Sequence, residues 1–284
     1  MEDPGPSPGK PRSGRTKGKN RPTGPGDTRG SAARGQSQVE ATHVDDIMEQ
    51  ASRALGEMRY FDAASLALRS LAQARAGADF DRLARICLPL QEARRNIRLA
   101  AVDATPASGV PVIASPDDIA QPLAPGCLLF QPPLIGADAR SLRATSDRLR
   151  LPIFVLTREP FTRDERWPVV GVGKISTRVK IKPPFELARE DARITKDSVT
   201  GGSAVPIRWF EEAGERLGDT AIQAVPDMHP WWRVDAFISL IEAVPLHEKL
   251  YQALAAACRE AQASAAPTST RAPAWNYDDL MSPD

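Results

Sequence analysis

The stretch VVGVGKIST, residues 169–177, carries the residue types of a phosphate-binding loop. Such a loop needs Gly, four residues and then Gly-Lys-Ser/Thr, with the hydroxyl on a metal ion and the chain passing from a strand into a helix. Gly173 and Lys174 are in place, but Ile175 stands where the hydroxyl belongs and Pro168 where the first glycine belongs. Downstream, Val179 and Ile181 alternate with Arg178, Lys180 and Lys182, which is the period of a strand. The glycines therefore belong to a strand, at a bulge or a turn. What remains is a basic stripe, Lys174, Arg178, Lys180 and Lys182. A nucleic acid or an acidic partner would use such a stripe, and an edge strand would use it to discourage pairing with another chain.

The three histidines offer little more. His247 with Glu248 begins a zinc-protease helix, which requires a second His four residues after the first, and Tyr251 holds that place. His229 lies near Asp227 and Asp235, where it could act as a ligand or a base, but a proline-bounded loop favours a structural role. His43 adjoins a helix cap and is expected in solvent. Cys87, Cys127 and Cys258 sit in apolar surroundings without metal-type spacing. They are expected to be buried, in a reducing compartment such as the cytoplasm. No catalytic residue, cofactor or metal-ligand set is predicted.

The elements that would position a site come next. From about residue 105, GVPVIAS, GCLLFQPP and LPIFVLTREP are short apolar strands alternating with SPDDIA, a helix start capped by Ser115, and ADARSLRATSDRLR, a helix with Ala139, Leu142 and Leu149 inward. Strands apolar on both faces and alternating with helices predict a small, mostly parallel sheet, with WPVVGVG and TRVKIK as an antiparallel edge. Parallel sheets bind ligands beyond the carboxyl ends of their strands. That rule nominates Ser115, Asp117, Gln131, Thr157, Arg158 and Glu159 as a ligand site, with Arg158 and Glu159 orienting a polar group or forming a solvated ion pair.

Helices flank this sheet region. In THVDDIMEQASRALGEM, Thr42 and Asp45 read as a capping box, and Val44, Ile47, Met48, Ala51, Leu55 and Met58 keep helical spacing. A second helix from Asp62 to about Ala76 buries Ala64, Leu68 and Leu71, and Gly77 closes it. A third follows Asp79 with Leu83, Ile86, Cys87 and Leu90, where Pro89 is expected to kink or end it. After Gly201 and Gly202 the chain turns helical again, with Pro206, Pro230 and Pro245 at helix starts and with Trp209, Phe210, Trp231, Trp232 and Phe237 as core aromatics.

Residues 44–77 resemble a tetratricopeptide repeat. Small Ser52 falls where the first helix needs a close contact, and YFDAASLAL resembles the family's opening of the second helix, with Phe61 and Ala64 in the matching places. Leu71 stands where a small residue is usual, and the closing proline is missing. Such repeats need about three copies to stand alone, so one copy implies a helical hairpin docked on something else. The resemblance implies protein binding.

The expected organisation is a basic, disordered tail over residues 1–41, a helical region over 42–104, a sheet domain over 105–200, helices over 201–263 and a flexible tail over 264–284. The fold class is α+β, or mixed. Residues 1–38 carry eight basic groups against three acidic ones, although the whole chain has a net charge of only +1, so the body is mildly acidic. No apolar run is long enough to span a membrane. In the last tail Trp275, Tyr277, Asp278, Asp279 and Leu280 form an aromatic and acidic cluster, which is either a linear motif for a protein partner or a segment that folds back. These features predict a non-catalytic cytoplasmic interaction or adaptor protein. The alternatives are a nucleic-acid-associated protein and a small-molecule enzyme or sensor, with oligomeric state left open.

Overall fold

Small residues set the geometry of the N-terminal helices. The computed structural model describes residues 43–160, 162–184 and 204–269. Helix α1 covers 43–56, and Ala51 and Ala54 are fully buried on it. Ser52, expected at the close contact, instead faces solvent and donates its hydroxyl to the Met48 carbonyl at 3.0 Å. Met58, expected on the buried stripe, lies past the helix end at φ 58° and is 72% exposed. Helix α2, Tyr60–Ala76, buries Ala63, Ala64, Ala67, Leu71 and Ala74. Ala78 and not Gly77 takes the left-handed conformation after it.

Helix α3, Phe80–Asp103, is capped by the Asp79 side chain, which accepts from the Arg82 amide. Pro89 neither ends nor divides it: one continuous helix runs through. The reason is the unbroken buried stripe of Leu83, Ile86, Leu90 and Ile97. Each such side chain contributes about 1.5–3 kcal/mol on burial, which outweighs a proline penalty of about 3 kcal/mol.

Six strands form one mixed sheet in the order β5-β4-β3-β2-β1-β6. Strands β1 (Val110–Ile113), β2 (Gly126–Phe130) and β3 (Ile153–Arg158) are parallel neighbours. The hairpin of β4 (Trp167–Val172) and β5 (Ser176–Ile181) adds antiparallel to β3, as the sequence predicts. At the far edge β6 (Ala204–Val205) pairs antiparallel with β1, an addition the sequence did not signal. SPDDIA yields only a three-residue 3-10 turn, Pro116–Asp118, although Ser115 caps it.

The period of two along the strands sorts the sheet's faces. Ile113, Phe130, Ile153 and Val155 point to helix α4 (Gly136–Leu149), where Ala139 is buried. Leu149, expected inward, is the last residue of the helix and is 56% exposed. The opposite face, with Val112, Leu129, Phe154 and Leu156, joins one hydrophobic core with the N-terminal helices and with α5 (Ile207–Gln223), α6 (Pro230–Leu240) and α7 (Glu248–Ala263). Aromatic pairs seat the C-terminal helices: Phe210 meets Phe154 at 4.8 Å between centroids, and Trp231 meets Phe80 at 4.7 Å. Gly171 and Gly173 let the segment after α6 lie directly on β4. A Cβ at either position would come within 2.6 Å of the Ala243 backbone. The three cysteines are free and buried, and no helix among the described residues is long and apolar enough to cross a membrane.

Candidate functional site

At the carboxyl ends of the parallel strands the structure brings together only part of the expected set. Gln131 and Arg158 meet there, with the Arg158 guanidinium donating to Gln131 Oε1 at 2.5 Å and lying 4.4 Å from the centre of the Trp167 ring. Gln131, Thr157, Arg158 and Trp167 are all buried. Glu159 accepts from Arg178 at 2.8 Å, so the acid expected beside Arg158 is engaged across the hairpin. Asp117 is exposed on its 3-10 turn. Arg158, bonded to Gln131 and lying over Trp167, occupies this end.

The basic stripe is divided as well. Arg178 and Lys180 share the exposed face of edge strand β5, and Lys182 lies just beyond it. Lys174 sits in the β4–β5 turn and turns toward a different place. His229 caps α6, its Nδ1 accepting from the Trp231 amide at 3.3 Å. The cluster of Trp275, Tyr277, Asp278, Asp279 and Leu280 lies outside the described residues, as do the cap at Thr42 and the Gly201–Gly202 break.

A cleft of about 550 Å³ opens near the other end of β3, beside Ile153. Leu68, Leu71, Ile97, Ile238 and Ile241 give it an apolar wall. Five cations also line it, Arg75, Arg94, Arg140, Arg143 and Lys174, against the carboxylates of Asp147 and Glu242. Arg75 is held by Asp235 through two hydrogen bonds, 2.5 and 2.7 Å, and Arg140 by Glu242 at 2.8 Å. Arg94 is 8% exposed and reaches Asp147 only at 3.2–3.3 Å, while its buried Nε has no hydrogen-bond partner.

Arg143 differs from all of these. It donates only to two main-chain carbonyls, Val172 at 2.9 Å and Glu242 at 3.1 Å. Among the described residues neither Arg143 nor Lys174 has a carboxylate within salt-bridge distance. Burial pushes the Arg143 guanidinium down to about 10, opposed mainly by the field of Asp147. It is therefore protonated at neutral pH, and its charge is poorly solvated. An anion brought to it would restore what burial removes.

This site carried a signal in the sequence. Arg75 follows Leu71 by four residues, Arg94 follows Leu90 by four and Arg143 follows Ala139 by four. Each arginine thus lies on the inward stripe of its own helix, where a charge is out of place unless it has work to do. Comparison with protein-family models, with curated proteins and with solved structures yields no match for the chain.

Proposed function

We propose that this chain is a binding protein for a small anion with an apolar body, held in the cleft between α2, α3, α4 and the segment that follows α6. The observation that carries the reading is Arg143, a desolvated guanidinium without a carboxylate partner on the wall of an apolar cleft. A cleft of this volume suits a small ligand, with apolar walls for the body and a few polar groups for orientation. Arg143, Arg94 and Lys174 would take the headgroup, a carboxylate or a phosphate, and Leu68, Leu71 and Ile238 the body. The lining supplies no histidine or cysteine, which favours binding over turnover.

Isothermal titration of the full chain with octyl phosphate and with octanoate, using octanol as the neutral control, tests the reading. Both anions, or one of them, should bind, octanol should not, and Arg143→Met should weaken binding by at least about tenfold through loss of a charge-assisted contact. If octanol binds as tightly as the anions, or Arg143→Met binds them unchanged, the reading is wrong.

A protein-interaction role is compatible with this one. The tetratricopeptide-like hairpin over 44–77 and the Trp275–Leu280 cluster support it from the sequence. Exposed Leu88 and Leu99, eleven residues apart on one stripe of α3, add a surface feature. Capture of a protein partner by the full chain, resistant to nuclease and lost on trimming to residues 42–263, would support the motif. Capture lost to nuclease alone would favour the basic tail and a nucleic acid.

A further inference from the structure

A second concentration of chemistry lies where α5 meets the start of α7, with Arg143 of the cleft lining the same small pocket as Glu215 and His247. Glu215 and Asp219 are four residues apart on α5 and so share a face. His247, immediately before α7, lies over that face with a side chain only 3% exposed. One ring nitrogen is 3.5 Å from Glu215 Oε2 and the other 3.2 Å from Asp219 Oδ1, yet neither makes a hydrogen bond of acceptable geometry. Buried imidazole nitrogens in that condition are rare, because the lost hydration is normally replaced. One donor atom from each of the three residues lies within 4.8 Å of the other two.

We propose that Glu215, Asp219 and His247 bind a divalent transition-metal ion of the zinc class. An imidazole with two carboxylates suits zinc and its neighbours and argues against calcium and magnesium, which take oxygen. With bonds of about 2.0–2.2 Å, donors must draw together somewhat. The half-exposed carboxylates can rotate to do this, while the imidazole is fixed. Gly218 fixes it: a Cβ there would come within 2.1–2.4 Å of three His247 ring atoms, so glycine lets the ring sit against the α5 backbone. Arg98 pairs with Glu215 Oε1, which leaves Oε2 to face the imidazole.

The cluster already attracts a cation. Lys249 Nζ lies 2.8 Å from both oxygens of Asp219 and 3.9 Å from Glu215 Oε2. The Lys249 side chain is 55% exposed and free to swing into water. A metal ion would displace this ammonium, so lysine and metal compete for the same carboxylates.

The competition gives the test a direction that a purely structural cluster would not share. The full chain, stripped with a chelator, is titrated calorimetrically with zinc chloride alone, and cobalt is used for a visible spectrum. Wild type should bind one equivalent. His247→Asn and Asp219→Asn should each weaken binding by at least about tenfold. Lys249→Met, an exposed change that spares the fold, should tighten it by about tenfold because a competing positive charge is gone. Circular dichroism checks that each variant is folded. No saturable binding in either wild type or Lys249→Met overturns the proposal. So does binding that His247→Asn and Asp219→Asn leave unchanged, which would place the ion elsewhere.

Discussion

Arg158 and Arg143 are both set into the protein, one at the carboxyl end of β3 and the other in the cleft shared with the residue that begins that strand. Arg158 has a side-chain amide in front of it and a tryptophan face beneath it. Arg143 has two backbone carbonyls and an open space. A buried guanidinium with a complementary cradle is a structural member. One left with dipoles and a cavity is the one that the proposed function gives to a ligand. At the carboxyl ends of the parallel strands, where ligands are generally expected, Gln131, Arg158 and Trp167 are buried against one another.

The sharpest way to break the comparison is at Trp167, which is 1% exposed and meets both Arg158 and Trp209. Trp167→Ala should destabilise the protein by about 3–5 kcal/mol in urea unfolding, as large-to-small changes in cores do. A loss below about 1 kcal/mol would mean that the carboxyl end is as loosely held as the cleft.

The next effect concerns alkaline pH on the closely packed face of the sheet. Burial pushes the Cys127 thiol up to about 11, with the Thr105 hydroxyl opposing the shift. A raised acid stabilises the fold while both states are protonated. That stabilisation begins to be lost when the unfolded thiol ionises near pH 9 and is gone once the folded thiol ionises near 11. Stability should therefore fall by about 3 kcal/mol across that window. Cys127→Val, compared with wild type in melts at each pH, should remove this part of the decline. An unchanged decline would assign it to other groups.

The smallest effect is the most discriminating. Arg158→Met leaves the buried Gln131 amide oxygen without its donor and should cost about 1–3 kcal/mol. Arg143→Met removes a poorly solvated charge and should change stability by less than about 0.5 kcal/mol, in either direction. Equal losses in the two variants would erase the distinction between the sites.

Much of the architecture was legible. Buried parallel strands announce themselves as apolar runs and the hairpin by alternation, so the three central strands and the β4–β5 edge were placed from sequence. Where a rule of local geometry met a strong core stripe, the stripe won, as Pro89 shows. The two-residue strand β6 is too short to leave a pattern. Arg94 and Arg143 were readable as charges on inward stripes, four residues after Leu90 and Ala139. The Glu215, Asp219 and His247 cluster was not readable. His247 lies 28 residues beyond Asp219 in the chain, and only the packing of α7 on α5 brings it there. The failed His-Glu motif at 247 drew attention to the histidine of this cluster but paired it with Glu248 and Tyr251.

Gly171 and Gly173 have a consequence for how the molecule opens. Where chain lies on chain with no side chain between, a surface cannot loosen gradually by rotamer changes. The 241–246 segment either rests on β4 or has left it. Departure of the C-terminal helices and exposure of that strand's backbone are then one event, and amide hydrogen exchange at Val170–Val172 should follow the free energy of the whole transition and not a local one.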